Sequence, residues 1–348
     1  MESLKNELSR RDVLKAAMYG GAAAAGGGLL AACRSGGSTQ ESSRHKAINP
    51  SDRYVFLSIV TQVPFWVDHK AALSDFSSVT GAKTEFIGPP DFDVQGQASQ
   101  LDQLIQSKPA GIILFVGDAD AMTPGINRAV DAGIPVILVI SDAPNTKRYC
   151  WIGIDGVQAG SVGASMLADA VGGKGQLLLG TFPSPNVLDR VKGYKTYLAQ
   201  NHPGIEVVDV VNDKADPSYA PDAYSAALRA HPNVVGIGGT DGDSGLGAYQ
   251  AVKEAGKLGD VKIVAMDRND NMLLHIKDGG IVGSVAQKSY DEAWLACWML
   301  YWLNHDEIQP VPDWRSAGID PLPESVTTGV WQVTRANVDQ FVHKEGAK

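Results

Sequence analysis

Hydrogen-bonding side chains recur in this sequence directly after short apolar runs. They are Asp118, Asp142, Asn186, Arg190, Asp241, Asp243, Asp267 and Gln287. Carboxylate and amide groups pair with hydroxyls, and a site that replaces the water shell of a polyhydroxylated molecule needs several of them. Two adjacent rings, Phe65 and Trp66, follow the first apolar run, and an aromatic face can stack on the C–H face of a sugar ring. The pattern predicts recognition of a small, sugar-like molecule.

Each of these residues also has an ordinary structural interpretation. An Asp after a strand is most often a helix N-cap, and we assign that role to Asp243, which precedes a Ser-Gly-Leu-Gly-Ala segment. Asp241 and Asp267 each end a very apolar strand and are better candidates for ligand contacts. For Phe65 and Trp66 the alternative is burial in a core. Two neighbouring rings at a helix start cannot easily both point inward, so at least one should face the ligand.

Catalytic and cofactor motifs are weak. The tetrapeptide at 242–245, Gly-Asp-Ser-Gly, matches the surroundings of the nucleophile of trypsin-like proteases, but Leu246 follows where Gly belongs and the flanks predict an α/β sheet. The Gly-rich segments at 173–176 and 236–239 lack the Walker and dinucleotide spacings. The seven His residues show no metal-ligand spacing. We therefore predict a binding protein rather than an enzyme, with no cofactor and no metal.

Alternating strand and helix patterns position these residues. Strands are predicted at 54–60, 83–87, 111–116, 135–140, 151–154, 176–179, 205–211, 234–237, 261–266 and 282–286, and helices at 65–80, 94–107, 122–132, 158–170, 187–200, 219–230, 243–255 and 272–277. This βα period predicts an α/β fold of two doubly wound, Rossmann-like lobes with mostly parallel sheets. Ligands of such sheets bind beyond the carboxyl ends of the strands, where the polar residues fall.

The pattern changes after residue 286. An aromatic helix is predicted at 291–304, then Pro-rich loops and a last strand at 328–333. Trp294, Trp298, Tyr301 and Trp302 share one face of the helix because they fall at i, i+4, i+7 and i+8. Core packing is the favoured interpretation, and a docking face for a partner is the alternative.

The N-terminus has the layout of an export signal. Four basic residues precede an uncharged, Ala- and Gly-rich stretch at 16–32. That stretch is too short and too poor in Leu, Ile and Val for a membrane span. The segment around Arg10-Arg11 resembles the twin-arginine export motif, and Leu30-Ala31-Ala32-Cys33 resembles the lipobox of bacterial lipoproteins. We expect a signal peptide at 1–32, lipidation of Cys33 and a flexible, Ser- and Gly-rich tether at 33–51.

Composition limits the possible partners of the chain. Its formal net charge is −9, and removing the signal, which carries one more basic than acidic residue, leaves about −10. Nucleic acid is excluded as a partner because its binding relies on Lys and Arg neutralising phosphates. Beyond Cys33 only Cys150 and Cys297 remain. Export permits a disulfide between them, but separate buried thiols are the commoner case.

Over nearly the whole mature chain the sequence resembles the ribose-type periplasmic binding proteins, the sugar receptors of bacterial ABC importers. The matching stretches are Pro64-Phe65-Trp66, Asn127-Arg128-Ala129 with 132–136, Ser141-Asp142-Ala143-Pro144, 189–194, Thr240-Asp241 with 246–248, Met266-Asp267 and Val285-Ala286-Gln287. Individually these motifs are weak, but in this order and spacing they are specific.

The resemblance implies two lobes joined by three crossings, near Ile154/Asp155, Gln287 and Thr328. The first lobe would comprise 52–154 plus 288–328, and the second 155–287 plus 329–348. Sugar contacts carry over to Phe65 and Trp66 as the stacking pair and to Asp241, Asp267 and Gln287 as polar contacts. Asp142, Asn186 and Asp216 match more loosely, and Arg190 lies two positions after the family's Arg, where this chain has Leu188.

Departures from the family pattern weaken the case for ribose as the ligand. Val63, Phe115 and Ile140 stand where ribose receptors tend to have polar residues, and a sugar hydroxyl left against them would lose about 1–3 kcal/mol. A monosaccharide of another kind, or a deoxy sugar, is expected.

The expected function is solute capture by hinge closure and delivery to an ABC permease. The chain would act as a monomer in the periplasm or on the outer face of the cytoplasmic membrane, attached through its lipid anchor alone. A ligand-sensing receptor for chemotaxis, a kinase or a quorum signal is the alternative that the sequence leaves open. A sugar-responsive transcription factor would need a helix-turn-helix where the signal and tether lie.

Overall fold

The computed structural model describes residues 52–342, and the predicted signal peptide, tether and lipidation site at Cys33 lie outside the described residues. Two six-stranded sheets organise this part of the chain. Each sheet is flanked by helices, and each lobe has core clusters of its own. The predicted fold class, two doubly wound α/β lobes, is confirmed.

The first sheet has the order β11-β5-β4-β3-β1-β2 with every pair parallel. Its strands are β1 (Arg53–Leu57), β2 (Lys83–Ile87), β3 (Gly111–Leu114), β4 (Val136–Val139), β5 (Cys150–Gly153) and β11 (Ser325–Thr327). The helices of this lobe are α1 (Val67–Thr80), α2 (Val94–Ser107), α3 (Ala119–Asp131) and the aromatic α9 (Ser289–Asn304). A short 3₁₀ turn, Pro64–Trp66, precedes α1.

The second sheet repeats this arrangement in the order β12-β10-β9-β8-β6-β7. Its strands are β6 (Gly175–Thr181), β7 (Ile205–Asn212), β8 (Val234–Gly238), β9 (Lys262–Met266), β10 (Gly283–Gln287) and β12 (Val330–Thr334). Its helices are α4 (Gly156–Ala170), α5 (Pro185–Asn201), α6 (Ala220–Ala230), α7 (Ser244–Glu254) and α8 (Asp270–Asp278). Strand β12 is antiparallel to β10, and the other pairs are parallel.

The central strands are continuous apolar runs because helices cover both faces of each sheet. Strands β3 and β4 are buried at every position, as parallel strands between two helical layers must be. Helix α9 lies against the first core: Tyr301 is buried, and Trp294, Trp298 and Trp302 are half-buried and pack on that core. This packing supports the core interpretation of the aromatic face.

The chain passes between the two sheets three times, after β5, after β10 and between β11 and β12. The last strand predicted at 328–333 corresponds to β12 with its bounds shifted to Val330–Thr334, whereas the short strand β11 was not predicted. Gly329 has φ +70°, a left-handed conformation that interrupts a strand, so Ser325–Thr327 pairs with the first sheet and Val330–Thr334 with the second. The exact lobe limits remain a prediction.

Cys150 and Cys297 are separate buried thiols rather than a disulfide. Burial raises the pKa of both, that of Cys150 to about 12. Neither thiol is therefore ionised at neutral pH.

Candidate functional site

The carboxyl ends of β9 and β10 bring Asp267 and Gln287 together. Gln287 is the last residue of β10, and its Nε2 donates to Asp267 Oδ1 at 2.7 Å. Asp267 directly follows β9 and has φ +65°, an uncommon conformation that Asp tolerates better than most residues. Ser284 Oγ donates to the Asp267 carbonyl at 2.5 Å. This backbone geometry turns the half-buried Asp267 carboxylate out of the strand direction.

The two lobes are alike at this point. Ile140 follows β4 in the first lobe as Asp267 follows β9 in the second, and it also has a positive φ, +67°. For a β-branched residue this conformation is strained. Backbone strain of this kind clusters at functional sites, which supports both strand ends as candidate site positions.

Electrostatics show which groups surround Asp267. Its pKa is raised, first by burial and then by the negative charges of Asp241 and Glu292, while Arg190 and the Gln287 hydrogen bond lower it. Arg190 is buried, and its Nη1 donates to the Thr240 carbonyl at 2.8 Å. Arg190 is thus a fixed cation near Asp267. An ionised Asp267 is a strong acceptor for a ligand hydroxyl.

The side-chain cap of α7 comes from Asp241 and not, as predicted, from Asp243. Asp241 Oδ1 accepts from the backbone N–H groups of Asp243, at 2.9 Å, and of Ser244, at 3.0 Å, so Asp241 satisfies the N-terminus of α7. Asp243 makes no side-chain cap bond, and its assignment as a cap is wrong. Burial and the nearby carboxylates of Asp241, Asp213 and Asp267 raise the pKa of Asp243 to about 7. Asp243 is therefore an additional carboxylate beside Asp267.

Asp213 is a buried carboxylate that the sequence analysis did not single out. It follows β7, accepts from Tyr224 OH at 3.2 Å, and is bridged by Ser244 Oγ to Asp241. Burial and Asp241 raise its pKa to about 6. The signal that could have identified Asp213 from the sequence is its position directly after a strand.

The two aromatic candidates differ in exposure. Trp66 is 1% exposed, and its ring contacts Phe56, Phe86 and Phe115 in the first core, at centroid distances of 5.7, 5.4 and 5.6 Å. Phe65 is half-buried and meets Trp66 edge-on at 4.9 Å. Trp66 therefore contributes to the core, and of this pair Phe65 has the more accessible ring.

Behind these rings lies a buried polar pair, His69 and Glu292, which sequence reasoning also missed. His69 Nε2 lies 3.4 Å from Glu292 Oε2, and both side chains are fully buried. The His69 ring lies 5.0 Å from that of Trp66, and Glu292 is close enough to raise the pKa of Asp267 in the other lobe. Glu292 is therefore a charge on α9 that acts on Asp267. Its position in the first turn of α9 resembles an ordinary acidic helix start and gave no distinct signal.

Three weaker candidates have local partners in the structure. Asp142 accepts from Arg148 Nε at 2.5 Å and Nη2 at 2.8 Å within the first lobe. Asn186 accepts from Ser184 Oγ at 2.6 Å at the start of α5. Asp216 accepts from the backbone and hydroxyl of Ser218, bonds that lower its pKa. The contacts and charges above link Arg190, Asp241, Asp267 and Gln287, and a ligand role for each of the predicted site residues remains a prediction.

Two further features concern residues 52–342 alone. Within that range no three His, Cys, Asp or Glu side chains are grouped so as to hold a metal ion. Likewise, none of the helices described there combines the length and apolar character that crossing a membrane requires.

A surface groove of about 700 Å³, lined in part by Lys70 and Phe86, contains none of the predicted ligand-contact residues.

Comparisons with known proteins agree with this architecture. The chain is 29% identical over 255 residues to the xylitol-binding protein of Mycolicibacterium smegmatis, covering 72% of each chain. A sugar-binding protein of a sugar ABC transporter from Bacillus halodurans superposes with a TM-score of 0.79 at 28% identity, covering 84% of this chain and all of that one. An arabinose-binding protein from Geobacillus stearothermophilus gives 0.76 at 30% identity, with the same coverage.

These similar proteins are named as binding proteins, which supports the prediction that the chain is not an enzyme. The model of the periplasmic binding protein domain matches residues 54–305, well over half of the chain. The resemblance predicted from the motifs is thereby confirmed, and the chain belongs to the family of periplasmic binding protein domains.

Proposed function

We propose that the chain is an extracytoplasmic solute-binding lipoprotein of an ABC importer, and that it binds a small sugar or sugar-like ligand between its lobes. The observation that carries this proposal is the Asp267–Gln287 pair at the carboxyl ends of β9 and β10, with Glu292 of the other lobe within electrostatic range. Ligands of doubly wound sheets bind at this edge.

The available atoms define the class of ligand. Among the described residues, the buried Gln287 Oε1 and Glu292 Oε1 accept no hydrogen bond, and each such group costs about 1–3 kcal/mol until it is paired. Together with Asp267 and Asp243 they form a set rich in acceptors, which a molecule carrying several hydroxyl donors would satisfy. The relatives named for xylitol and arabinose bind molecules of this type. A pentose, a pentitol or a deoxy sugar fits these acceptors best.

Binding would work by hinge closure about the three crossings. The ligand contacts Asp267 and Gln287 from one lobe and the Phe65 ring from the other, so it binds the closed form more tightly than the open form. Such differential binding shifts the population towards closure. A permease would then recognise the closed form.

The N-terminal segment would attach the protein to the membrane. We propose that residues 1–32 are removed on export, that Cys33 is acylated, and that residues 33–51 tether the two lobes to the membrane. The first lobe would comprise 52–154 and 288–328, and the second 155–287 and 329–348. Replacing Cys33 by Ser should release the protein from the membrane fraction. Continued membrane association of that variant would contradict lipid anchoring.

Calorimetric titration with pentoses, hexoses and polyols tests the binding proposal. We expect one ligand per chain with a Kd of about 1 μM or tighter, equivalent to about −8 kcal/mol. Solution scattering should show that the same ligand makes the protein more compact. Binding without compaction would contradict hinge closure, and no binding across the panel would contradict the ligand class.

A further inference from the structure

An ion pair joins the two lobes away from the three crossings. Arg268 Nη2 lies 2.5 Å from Asp68 Oδ1, and Arg268 Nε donates to Asp68 Oδ2 at 3.0 Å. This two-pronged geometry is the strongest form of an Arg–carboxylate pair. The side chains are 14% and 13% exposed, so water screens the pair only in part. Asp68 lies two residues after Trp66, and Arg268 directly follows Asp267, which places the pair beside the proposed site.

Each partner is held in position by its own lobe. Arg268 Nη1 donates to the Phe341 carbonyl at 2.9 Å, and its guanidinium lies 5.9 Å from the Trp331 ring and 5.8 Å from the Phe341 ring. Asp68 lies in the first turn of α1, where the helix dipole favours a negative charge. The Arg268 side chain is therefore already ordered by its own lobe, so less conformational entropy is lost when the pair forms.

We propose that Asp68 and Arg268 are affinity-determining residues that hold the lobes closed around the ligand and close the cleft in part before the ligand arrives. The pair exists only when the lobes meet, because its two halves are fixed to different lobes. It stabilises the closed form without contacting the ligand. The effect on affinity rests on the proposed function, whereas the effect on the ligand-free chain does not.

The expected change in affinity on loss of the ion pair follows from the change in the fraction of closed molecules. The apparent Kd equals the Kd of the closed form divided by the fraction of molecules that are closed. A coupling of about 1.4 kcal/mol corresponds to a factor of ten. Without the pair, the ligand must supply that part of the closure free energy, so we expect ligand binding severalfold weaker, by at most a factor of about ten, and dissociation faster.

The test compares Asp68→Asn, Arg268→Gln, the double variant and Arg268→Lys in the full chain. In the ligand-free protein, scattering should show a larger radius of gyration for each of the first three variants than for the wild type. Each single variant should bind the tightest-binding sugar of the calorimetric panel severalfold more weakly, and the double variant no more weakly than either single one. Arg268→Lys should be intermediate, because Lys retains the charge but not the two-pronged geometry.

Arg128→Gln is the matched control, because it breaks the exposed Arg128–Asp102 pair within the first lobe. It should change neither the radius of gyration of the ligand-free protein nor the affinity for the sugar. Thermal unfolding checks that every variant is folded. The proposal is overturned if the single variants keep wild-type dimensions and affinity, or if the two single effects add in the double variant. If no sugar binds, the radius of gyration of the ligand-free variants still tests whether the ion pair favours the closed form. Failure of the proposed sugar binding and failure of the ion-pair proposal can therefore be told apart.

Discussion

Replacing Asp267 by Asn should weaken ligand binding about a hundredfold while leaving the fold intact. Asp267 is the candidate contact with the best-defined geometry, because Gln287 Nε2 fixes its Oδ1 at 2.7 Å and leaves Oδ2 for a hydroxyl. Asn has nearly the same shape, keeps one acceptor oxygen and tolerates the positive φ of +65°. Ala would add strain of about 1 kcal/mol at this φ, so Asn isolates the loss of charge.

The magnitude follows from the bonds that are lost. A hydrogen bond to a charged group contributes about 1.5–3 kcal/mol, and the Asn amide N–H₂ also places a donor where the carboxylate had an acceptor. A loss of about 3 kcal/mol corresponds to roughly a hundredfold weaker binding. Stability should not fall, because the substitution removes a half-buried charge that lies near Asp241 and Glu292.

Calorimetry and thermal unfolding measure the two effects. Asp93→Asn is the control, since it changes one exposed carboxylate to an amide at the N-cap of α2, where Asp and Asn are equally good caps. It should bind as the wild type does. Undiminished binding by Asp267→Asn, or a fall of many degrees in its thermal midpoint, would refute the assignment of Asp267 as a ligand contact.

Three further predictions concern neighbouring residues. Asp241→Ala should cost about 2 kcal/mol of unfolding free energy, measured in denaturant, because it removes the cap of α7; unchanged stability would contradict that role. The raised pKa values of Asp213, about 6, and Asp243, about 7, mean that the folded chain binds more protons than the unfolded chain between about pH 4 and 7. Stability should therefore fall as pH rises through that window, so the thermal midpoint should be higher at pH 5 than at pH 8, and Asp243→Asn should reduce the difference. Trp66→Ala should destabilise the chain by about 3–5 kcal/mol, whereas Phe65→Ala should weaken ligand binding severalfold with a smaller loss of stability; equal losses of stability would contradict the different exposure of the two rings.

Much of the fold could be predicted because its signals are local. Buried parallel strands require continuous apolar runs, and the runs at β3, β4 and β9 are unambiguous. The short strand β11 was missed because a left-handed Gly329 separates it from β12, which lies in the other sheet. Which of the two sheets a short strand joins depends on its contacts with distant parts of the chain. The sequence of the strand alone therefore does not predict it.

The candidate site was only partly predictable. Asp267 and Gln287 lie at strand ends, where the rule for doubly wound sheets directs attention. The cap of α7 was assigned to Asp243 instead of Asp241, because the choice of cap depends on which carboxylate the backbone turns toward the helix N-terminus. Asp68 and Arg268 are 200 residues apart, and no local pattern relates them.

The most direct test of the account is a crystal structure of the mature chain grown with the tightest-binding sugar of the panel. The account predicts ligand density enclosed between the lobes, with a hydroxyl bonded to the Asp267 carboxylate and the Phe65 ring against the opposite side. Ligand held by one lobe alone, or a region between the lobes filled by protein side chains, would contradict it.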